Sequence, residues 1–487
     1  MIAPDLRLLV PAAACWLAVW LAAPWRPGWQ IGAALGLGAG AVAGCWRGLA
    51  LAAVVALLAA GAGLASSGLR AWARTSNPVA QLAAVGADVD VRLQVTGDPL
   101  VRDGTAHGRA YHLVIVPAQA RALASDDGRA WRLRQPVLVL ADDSAWSTLQ
   151  PSQSVTAAGR LAPPRSGDDV AAVLDARGPP VHADGPSLVQ RAAGHVRVGL
   201  RHAAAALPGQ RAALLPALVD GDTAGLSATT EAEFRATGLT HLVAVSGENL
   251  AIVTGVVVGA TRRLRLAPRA AAAVTLAAIV AFVVVARPSP SVLRAAVMGG
   301  IGAFGLVGGQ RRRALGGLSA AVLLLVLADP GLAARPGFAL SVLASLGLLV
   351  LAPGAAAVLA RRLPAWLAAA LAVPLAAQIA CSPVIAAIGG GLSLTAVPAN
   401  LLAAPAVAPA TLLGVAAAVC APLSSGVARA AAWCAAWPCA WLLGVAHEGS
   451  RVPASIVPWP SGAGGALLLA ALTVPLLVAG RRAILRS

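Results

Sequence analysis

Lysine is absent from this sequence, and all 37 basic residues are arginine. Charged residues of both signs make up only 12% of the 487 residues, whereas 58% of the residues are hydrophobic. Runs of alanine, valine and leucine recur along most of the chain. So little charge and so many apolar runs exclude an ordinary water-soluble protein and predict a polytopic α-helical membrane protein.

The charge that is present is strongly positive, with a formal net value of +17. Such an excess can indicate a nucleic-acid-binding protein, but here the arginines lie mainly in short clusters between apolar segments, which is a signal of membrane topology. With lysine missing and alanine, glycine and proline abundant, the arginine content also fits a GC-rich coding bias. Arginine as such is therefore weak evidence for function.

The six cysteines all lie in or beside apolar segments. We expect them to be small buried hydrophobic residues, with a Cys434–Cys439 pair as the less favoured alternative. The first apolar run, from Leu8 to Ala23, resembles a signal peptide, but further apolar segments follow it at once. We therefore predict that it is a retained membrane anchor.

Apolar segments of roughly membrane-spanning length occur in two groups, three before a long polar region and nine after it. Several are short, so we predict about 10 to 12 transmembrane helices. The candidates are Leu8 to Ala23, Ile31 to Trp46, Leu49 to Ala65, Leu239 to Ala260, Ala270 to Ala286, Ser291 to Gly309, Leu315 to Ala328, Gly337 to Ala360, Ala365 to Ile388, Ala399 to Leu423, Ala430 to Ala446 and Gly464 to Gly480.

The arginine clusters orient these segments. With twelve spans and a cytoplasmic N-terminus, every strong cluster falls on the cytoplasmic side, as the positive-inside rule requires. The same assignment puts the C-terminus inside and the polar region, Ser66 to Gly238, outside. We expect the protein in the cytoplasmic (inner) membrane, as a multi-pass protein in contact with the lipid bilayer.

The polar region contains strand signals. The stretch Asp88 to Val95, "DVDVRLQV", alternates apolar and polar residues, and three similar stretches follow between turn sequences. This pattern predicts an inserted extracytoplasmic small β-barrel that is OB-fold-like. From Val189 to Leu218 the pattern becomes that of an amphipathic helix that could lie on the membrane surface. The predicted domains are residues 1–66 (three helices), 67–186 (β-domain), 187–238 (amphipathic segment) and 239–487 (channel domain).

Four ordered motifs carry a resemblance to a known family. They begin with "ALVDGDTAGLSATTEAEFRATGLTHLVAVSGENLAIV" (Ala217 to Val253) and continue at Pro288 to Gly300, Ala328 to Leu349 and Cys381 to Gly414. Together with the triplet of helices and the outer β-domain, the chain resembles the ComEC family of competence proteins, the inner-membrane DNA uptake channels of natural transformation. The resemblance implies a conduit for single-stranded DNA.

Two departures from the family pattern are evident. The chain has "SGENL" where family members commonly have "SGLHV", and Ala339 where they commonly have glutamine. Many members also have a C-terminal metallo-β-lactamase-like domain thought to degrade the second strand, and the present sequence resembles the form that lacks it. The seven histidines form no H-x-H-x-D-H cluster. We expect no nuclease activity, no catalytic residue, no metal and no cofactor in this chain.

Polar residues inside the apolar segments are the candidate lining of the channel or substrate path. Ionisable side chains are costly in hydrocarbon and normally face a wet or protein-lined interior. His241 and Glu248 are seven residues apart, so on one helix they would share a face, about 10 Å apart along the axis; the intervening serine and glycine could also break the helix. The candidates are His241, Ser246, Glu248, Asn249, Arg294, Gln378 and Asn400.

Each of these candidates has a structural alternative. The polar groups could only bond neighbouring helices, and the many prolines from Pro374 to Pro409, which suggest broken helices, could serve packing alone. Arg294 and Asp329 could form an ion pair, which we favour, or Arg294 could face a phosphate. In the outer domain, possible DNA contacts are Arg109, Tyr111, Trp131, Arg132 and Arg134. The aromatic residues there could instead be barrel core or membrane-facing, and the near-neutral charge of the region argues against a broadly basic DNA-binding surface.

The leading hypothesis is transport of single-stranded DNA across the cytoplasmic membrane. The partners implied are the DNA itself, an extracytoplasmic DNA receptor, a separate nuclease, a cytoplasmic motor or single-stranded-DNA-binding protein, and a possible homodimer. The alternative is a proton-coupled secondary transporter or flippase of a small or lipidic substrate, with His241 and Glu248 in a proton relay. A third is a scaffold that has lost uptake activity.

Overall fold

A computed structural model describes residues 7–106, 109–125, 128–165, 168–243, 245–308, 314–389, 391–453 and 455–485. The chain separates into two compact units. The sheet unit contains Ala22–Gly36 and Leu64–His195, and the helical unit contains Met1–Leu21, Leu37–Gly63 and Val196–Ser487. The unit boundaries therefore differ from the predicted domain boundaries, because they fall inside helices rather than between them.

The described residues form mainly α-helices. In chain order these are α1 (Leu9–Ala22), α2 (Pro27–Trp46), α3 (Leu51–Thr75), α4 (Pro78–Ala84), α5 (Leu188–Ala204), α6 (Arg211–Asp220), α7 (Ala228–Ala236), α8 (Thr240–Val243), α9 (Gly247–Arg263), α10 (Pro268–Ala286), α11 (Pro290–Gly308), α12 (Ala314–Ala328), α13 (Pro336–Val350), α14 (Ala352–Leu359), α15 (Ala365–Gly389), α16 (Ala396–Cys420), α17 (Ser425–Ser450) and α18 (Gly462–Leu485).

The strands are β1 (Asp88–Val95), β2 (Leu100–Ala106), β3 (Arg109–Ser125), β4 (Ala130–Ala141), β5 (Ser154–Ala162), β6 (Ala172–Ala176) and β7 (Val181–Asp184) in the sheet unit, with a short pair β8 (Gly391–Ser393) and β9 (Ile456–Pro458) in the helical unit. The alternating stretch Asp88 to Val95 coincides with β1, so that prediction is confirmed.

In the sheet unit, the path of paired strands ends on the strand where it begins. β1 pairs with β3, β3 with β4, β4 with β6 and β6 with β5, and β5 pairs back onto β1. All these pairs are antiparallel except β4 with β6, which is parallel. β2 and β7 extend the sheet by pairing with β3 and β5.

Apolar and polar residues alternate along the strands, and the apolar side chains form one core inside this circuit. Val89, Val91, Leu93 and Val95 of β1 are buried, and Trp146 fills the core and donates its indole N–H to the Gly178 carbonyl at 3.0 Å. Strand β5 crosses its neighbours closely at Gly159, where a side chain would collide with the Asp175 carbonyl of β6. A glycine is therefore required at this point of close approach.

Several helices are long and apolar enough to cross a membrane, as the composition predicts. Among the described residues they are α3, α10, α15 and α16, and α13 with α14 forms a fifth candidate bent by 47° at the break between them. Shorter apolar helices are Leu9–Ala22, Pro290–Phe304, Ala314–Ala328 and Gly462–Thr473. Helices this numerous and apolar fit a multi-pass membrane protein, while the number of spans stays a prediction.

The largest apolar cluster that the structure describes in the helical unit combines leucines with many alanines. α16 and α17 pack together through buried alanines such as Ala403, Ala410, Ala432 and Ala435, which permit close helix approach. At Gly414 of α16 an added side chain would collide with α6. The region 187–238, predicted as an amphipathic surface segment, is thus three helices, and α6 is buried from Leu214 to Asp220 because its run "LLPALV" has no polar face.

The structure decides two alternatives that the sequence left open. Helices α15 and α16 continue through their internal prolines, Pro374, Pro383, Pro405 and Pro409, rather than breaking there. Packing against neighbouring helices tolerates the loss of single hydrogen bonds. The less favoured pairing of Cys434 with Cys439 is not formed, since both are free thiols on α17, but the expected burial of the cysteines is wrong for Cys45 and Cys434, which are exposed.

Candidate functional site

The segment predicted as one helix from Leu239 to Ala260 is interrupted after Val243. α8 ends there and α9 begins at Gly247, with Ser246 as its N-cap. The Ser246 hydroxyl accepts a hydrogen bond from the backbone N–H of Asn249 at 3.3 Å, which stabilises a helix start at this point. His241 and Glu248 therefore do not share the face of one helix, and the expected stripe is corrected to two exposed residues on separate helices.

His241 and Glu248 each have a favourable interaction within their own segment of the chain. A ring nitrogen of His241, Nδ1, lies 3.2 Å from the Gly238 carbonyl. Glu248 lies in the first turn of α9, where a negative charge interacts favourably with the positive end of the helix dipole.

Asn249 is almost completely buried, at 1% exposure. Its Nδ2 donates to the Leu218 carbonyl of α6 at 2.7 Å, and its Oδ1 accepts from the Thr411 hydroxyl of α16 at 3.4 Å. Asn249 thus bonds neighbouring helices, which was the structural alternative to a position on the path.

A connected polar network lies between α9, α11 and α13. The N–H of Gly247 donates to the Ser291 hydroxyl at 3.2 Å, and the hydroxyls of Ser291 and Ser341 are 3.1 Å apart. Nε of Arg294 donates to the Ser341 hydroxyl at 2.8 Å, and its Nη1 lies 3.1 Å from the Met298 sulfur. Ser246 and Arg294 are among the residues predicted from the sequence, but Ser291 and Ser341 are not. A serine in an apolar helix usually bonds a carbonyl of its own helix, so its sequence position alone gives no sign of a contact between helices.

The favoured ion pair between Arg294 and Asp329 is not formed. Asp329 instead faces Arg335, with Oδ2 and Nη2 4.0 Å apart. The physical reason is proximity, since Asp329 and Arg335 flank one short turn between α12 and α13, whereas Arg294 is turned toward the hydroxyl of Ser341.

Gln378 and Asn400 lie on other helices and do not join this network. Gln378 is half-buried on α15, and its carbonyl accepts from the Ser382 hydroxyl at 2.6 Å. Asn400 donates to the Ala396 carbonyl of its own helix at 2.8 Å. The structure therefore does not bring all the predicted path residues together.

Asp220, at the end of α6, is a functional candidate that the sequence analysis missed. Its side chain is fully buried, Oδ1 accepts from the N–H of Asp222 at 3.1 Å, and Oδ2 lies 3.8 Å from Nε of Arg197 without a hydrogen bond. Burial raises the pKa of the Asp220 carboxyl to about 6, although the positive charge of Arg197 opposes this shift. The signal was present as an aspartate that directly follows an apolar run.

The predicted DNA contacts of the sheet unit fall on two faces. Trp131 is partly buried and packs against the core, whereas Arg132 and Arg134 of the same strand are exposed. Arg132 lies opposite Ala122, which lies opposite Arg92, so basic residues of two strands share the outer face. Arg121 adds to this face and donates to the Gln94 amide oxygen at 3.1 Å. The side chains of Arg109 and Tyr111 are outside the described residues.

Long apolar helices that pack through buried small residues fit a multi-pass membrane protein. In the ranges that the structure covers, no group of three or more His, Cys, Asp or Glu side chains is arranged to hold a metal ion. The sequence profile of the Competence protein family matches residues 218–482, which is more than half of the chain, and the chain belongs to that family. No curated protein and no solved structure matches it. The match includes the polar network and leaves out the sheet unit.

Proposed function

We propose that this protein conducts single-stranded DNA across the cytoplasmic membrane during natural transformation, as the ComEC-type competence proteins it resembles are thought to do. The observation that carries the proposal is the family match over residues 218–482. Membership of a competence family favours a component of DNA uptake over an enzyme. No nuclease step is assigned to this chain.

The polar network supports this proposal physically. A path for a polyanion needs helix N-termini, backbone amides and arginines rather than acidic side chains. The N-terminus of α9, the hydroxyls of Ser291 and Ser341 and the guanidinium of Arg294 are such groups. They lie inside the part of the chain that matches the family.

The sheet unit has a role in the proposal as an extracytoplasmic OB-like domain. The pairing of β5 back onto β1, which ends the circuit β1-β3-β4-β6-β5 on its first strand, supports this part of the proposal. The exposed arginines Arg132 and Arg134, with the partly buried Arg121 beside them, would meet the phosphates of an incoming strand. Both chain termini are then cytoplasmic, following the arginine distribution.

The proposed activity requires partners outside this chain. We include an extracytoplasmic receptor that delivers DNA, a separate nuclease that removes one strand, and a cytoplasmic motor or single-stranded-DNA-binding protein that draws the other strand inward. A homodimer in the bilayer is part of the same proposal, because a hydrated strand needs a wide path.

The test is uptake of labelled DNA into a DNase-resistant cytoplasmic form. The strains compared are wild type, a deletion of this gene, and the deletion complemented with the wild-type gene, in a host shown to be competent. We expect uptake to be lost on deletion and restored by complementation. Undiminished uptake in the deletion strain would refute the proposal, and surface-bound DNA measured before DNase treatment controls for a loss of binding.

A proton-coupled transporter or flippase is the second candidate, and the buried carboxyl of Asp220 is the observation that favours it. A carboxyl with a pKa near 6 can exchange a proton in the physiological range. In proteoliposomes, this alternative predicts solute flux driven by a pH gradient and lost in Glu248→Gln or Asp220→Asn. DNA uptake that is unchanged in both variants would instead favour the channel.

A further inference from the structure

Arg294 is a buried cation whose contacts, in the part of the chain that the structure describes, are with neutral groups. Its side chain is only 8% exposed, and no described carboxylate forms an ion pair with it. Nε and Nη1 contact a hydroxyl and a thioether, while Nη2 donates to no residue that the structure describes. Burying an unpaired charge costs several kcal/mol. An arrangement of this kind is expected where an anionic ligand supplies the missing charge.

Two helix starts converge on the same place. Ser246 caps α9, and the first N–H of that helix, at Gly247, bonds to Ser291 in the first turn of α11. Each start carries about half a positive charge from the helix dipole. Both therefore add to the field of the guanidinium rather than neutralising it, and N-termini of helices are common sites for phosphate groups.

The network also leaves access for a ligand. Ser246, Gly247, Ser291 and Ser341 are all only partly buried. A side chain at Gly247 would come within 3.0 Å of Nη2 of Arg294, so the absent side chain leaves the free edge of the guanidinium open toward the start of α9. Arg294 is thus a nine-tenths-buried cation aimed at a helix N-terminus.

We propose that Arg294, the first turns of α9 and α11 and the hydroxyl of Ser341 form a binding site for a phosphodiester group of the single strand. The inference rests on the proposed function, which supplies the ligand class. Nη2 donates to a phosphate oxygen, one of the two mutually bonded hydroxyls of Ser291 and Ser341 donates to the same group, and the two helix dipoles hold its charge. The site recognises the backbone and carries no base specificity.

The test uses the full chain in nanodiscs of phosphatidylcholine. A fluorescent oligothymidine with ordinary phosphodiester linkages is compared with the same oligomer with uncharged methylphosphonate linkages. Wild type should bind only the charged oligomer. Arg294→Gln should weaken that binding about tenfold or more and lower the slope of log affinity against log salt by roughly 0.7, the value for one phosphate contact on a single strand. Arg294→Lys should retain part of the affinity, because it keeps the charge but not the fork of donors.

Arg263→Gln is the matched control, since it removes the same charge from the opposite end of α9, where Arg263 is exposed. It should leave affinity and slope unchanged. All variants must elute as single species and melt near the wild-type temperature, and Ser341→Ala provides a second, milder probe of the same site. Equal binding by wild type and Arg294→Gln would overturn the site even if cells take up DNA normally. Normal uptake of DNA in the deletion strain would refute the proposed function separately, whatever the oligomer binds.

The phosphate of a bound lipid is the competing ligand for this site. Bound lipid is measured as moles of phosphorus per mole of protein in wild type and in Arg294→Gln, both purified from membranes. Loss of tightly held lipid in the variant with no change in oligomer binding would overturn the assignment to DNA. Glu248→Gln gives a test of sign, because removing this nearby exposed negative charge should strengthen binding of the charged oligomer and not of the uncharged one.

Discussion

Two polar side chains of the helical unit, Asp220 and Asn249, are each only 1% exposed. A buried polar group is costly unless it is hydrogen-bonded or neutralised. Asn249 meets this requirement through two neighbouring helices, whereas one oxygen of Asp220 has no hydrogen-bond partner in the structure. We therefore expect substitution of Asp220 to change how stability depends on pH, and substitution of Asn249 to lower stability.

Asp220 predicts a dependence of stability on pH. Burial raises the pKa of its carboxyl from 3.8 to about 6, so between these values the folded chain holds a proton that the unfolded chain has lost. Stability then falls as pH rises through this window. We expect wild type to be more stable at about pH 5 than at about pH 7, by about 1 kcal/mol from this group, and Asp220→Asn to lose most of that difference.

The measurement is thermal unfolding of the purified protein followed by tryptophan fluorescence across this pH range. Glu448→Gln removes an exposed carboxylate and should keep the wild-type dependence. The same pH dependence in Asp220→Asn as in wild type would show that another group is responsible.

Replacing Asn249 should destabilise the protein, because its side chain bonds two neighbouring helices. Asn249→Ala leaves the Leu218 carbonyl without its donor inside the packed interface, which should cost about 1 to 3 kcal/mol. Asn400→Ala is the control, because Asn400 bonds only its own helix and should cost less. The melting temperatures of the two variants decide between these outcomes, and equal melting would contradict the bridging role of Asn249.

At the scale of elements, the start of α9 sets the geometry of the proposed site. Ser246→Ala removes the cap, and loss of an N-cap typically costs about 1 kcal/mol. We expect faster amide hydrogen exchange over the first turn of α9. Ser424→Ala, which removes the equivalent cap of α17, should accelerate exchange at α17 and leave α9 unchanged.

Unchanged exchange at the first turn of α9 in Ser246→Ala would mean that packing, and not the cap, ends α8 and begins α9. The same experiment reports whether the break after Val243 is an intrinsic property of the local sequence. A serine followed by glycine already favours such a break, because serine is a preferred cap and glycine a weak helix former.

For the whole molecule, the arginine distribution predicts a topology that can be measured directly. In a variant with all six cysteines replaced, Arg134→Cys in the sheet unit should react with a membrane-impermeant maleimide added to intact spheroplasts. Arg263→Cys, at the end of α9, should react only after permeabilisation, because it lies in a predicted cytoplasmic cluster. The reverse labelling of either position would invert or break the proposed topology.

Much of the molecule was predictable from local sequence. Alternation identified β1, apolar runs identified the long helices, and ordered motifs identified the family, because each of these signals depends on neighbouring residues. Strand order and the partners of Arg294 were not predictable in the same way, since they join residues far apart in the chain. Ser291 and Ser341 become a site only when α11 and α13 lie side by side.

The sequence by itself determined that this is a multi-pass membrane protein of the Competence family, with a sheet inserted between its helices. Hydropathy, strand periodicity and motif order are properties of the linear chain and persist in any arrangement of its helices. Only the tertiary structure decided that α6 is buried, that His241 and Glu248 lie on separate helices, and that Arg294 contacts the Ser341 hydroxyl instead of Asp329. The physical reason is that burial and the balance of charge depend on which helices pack together.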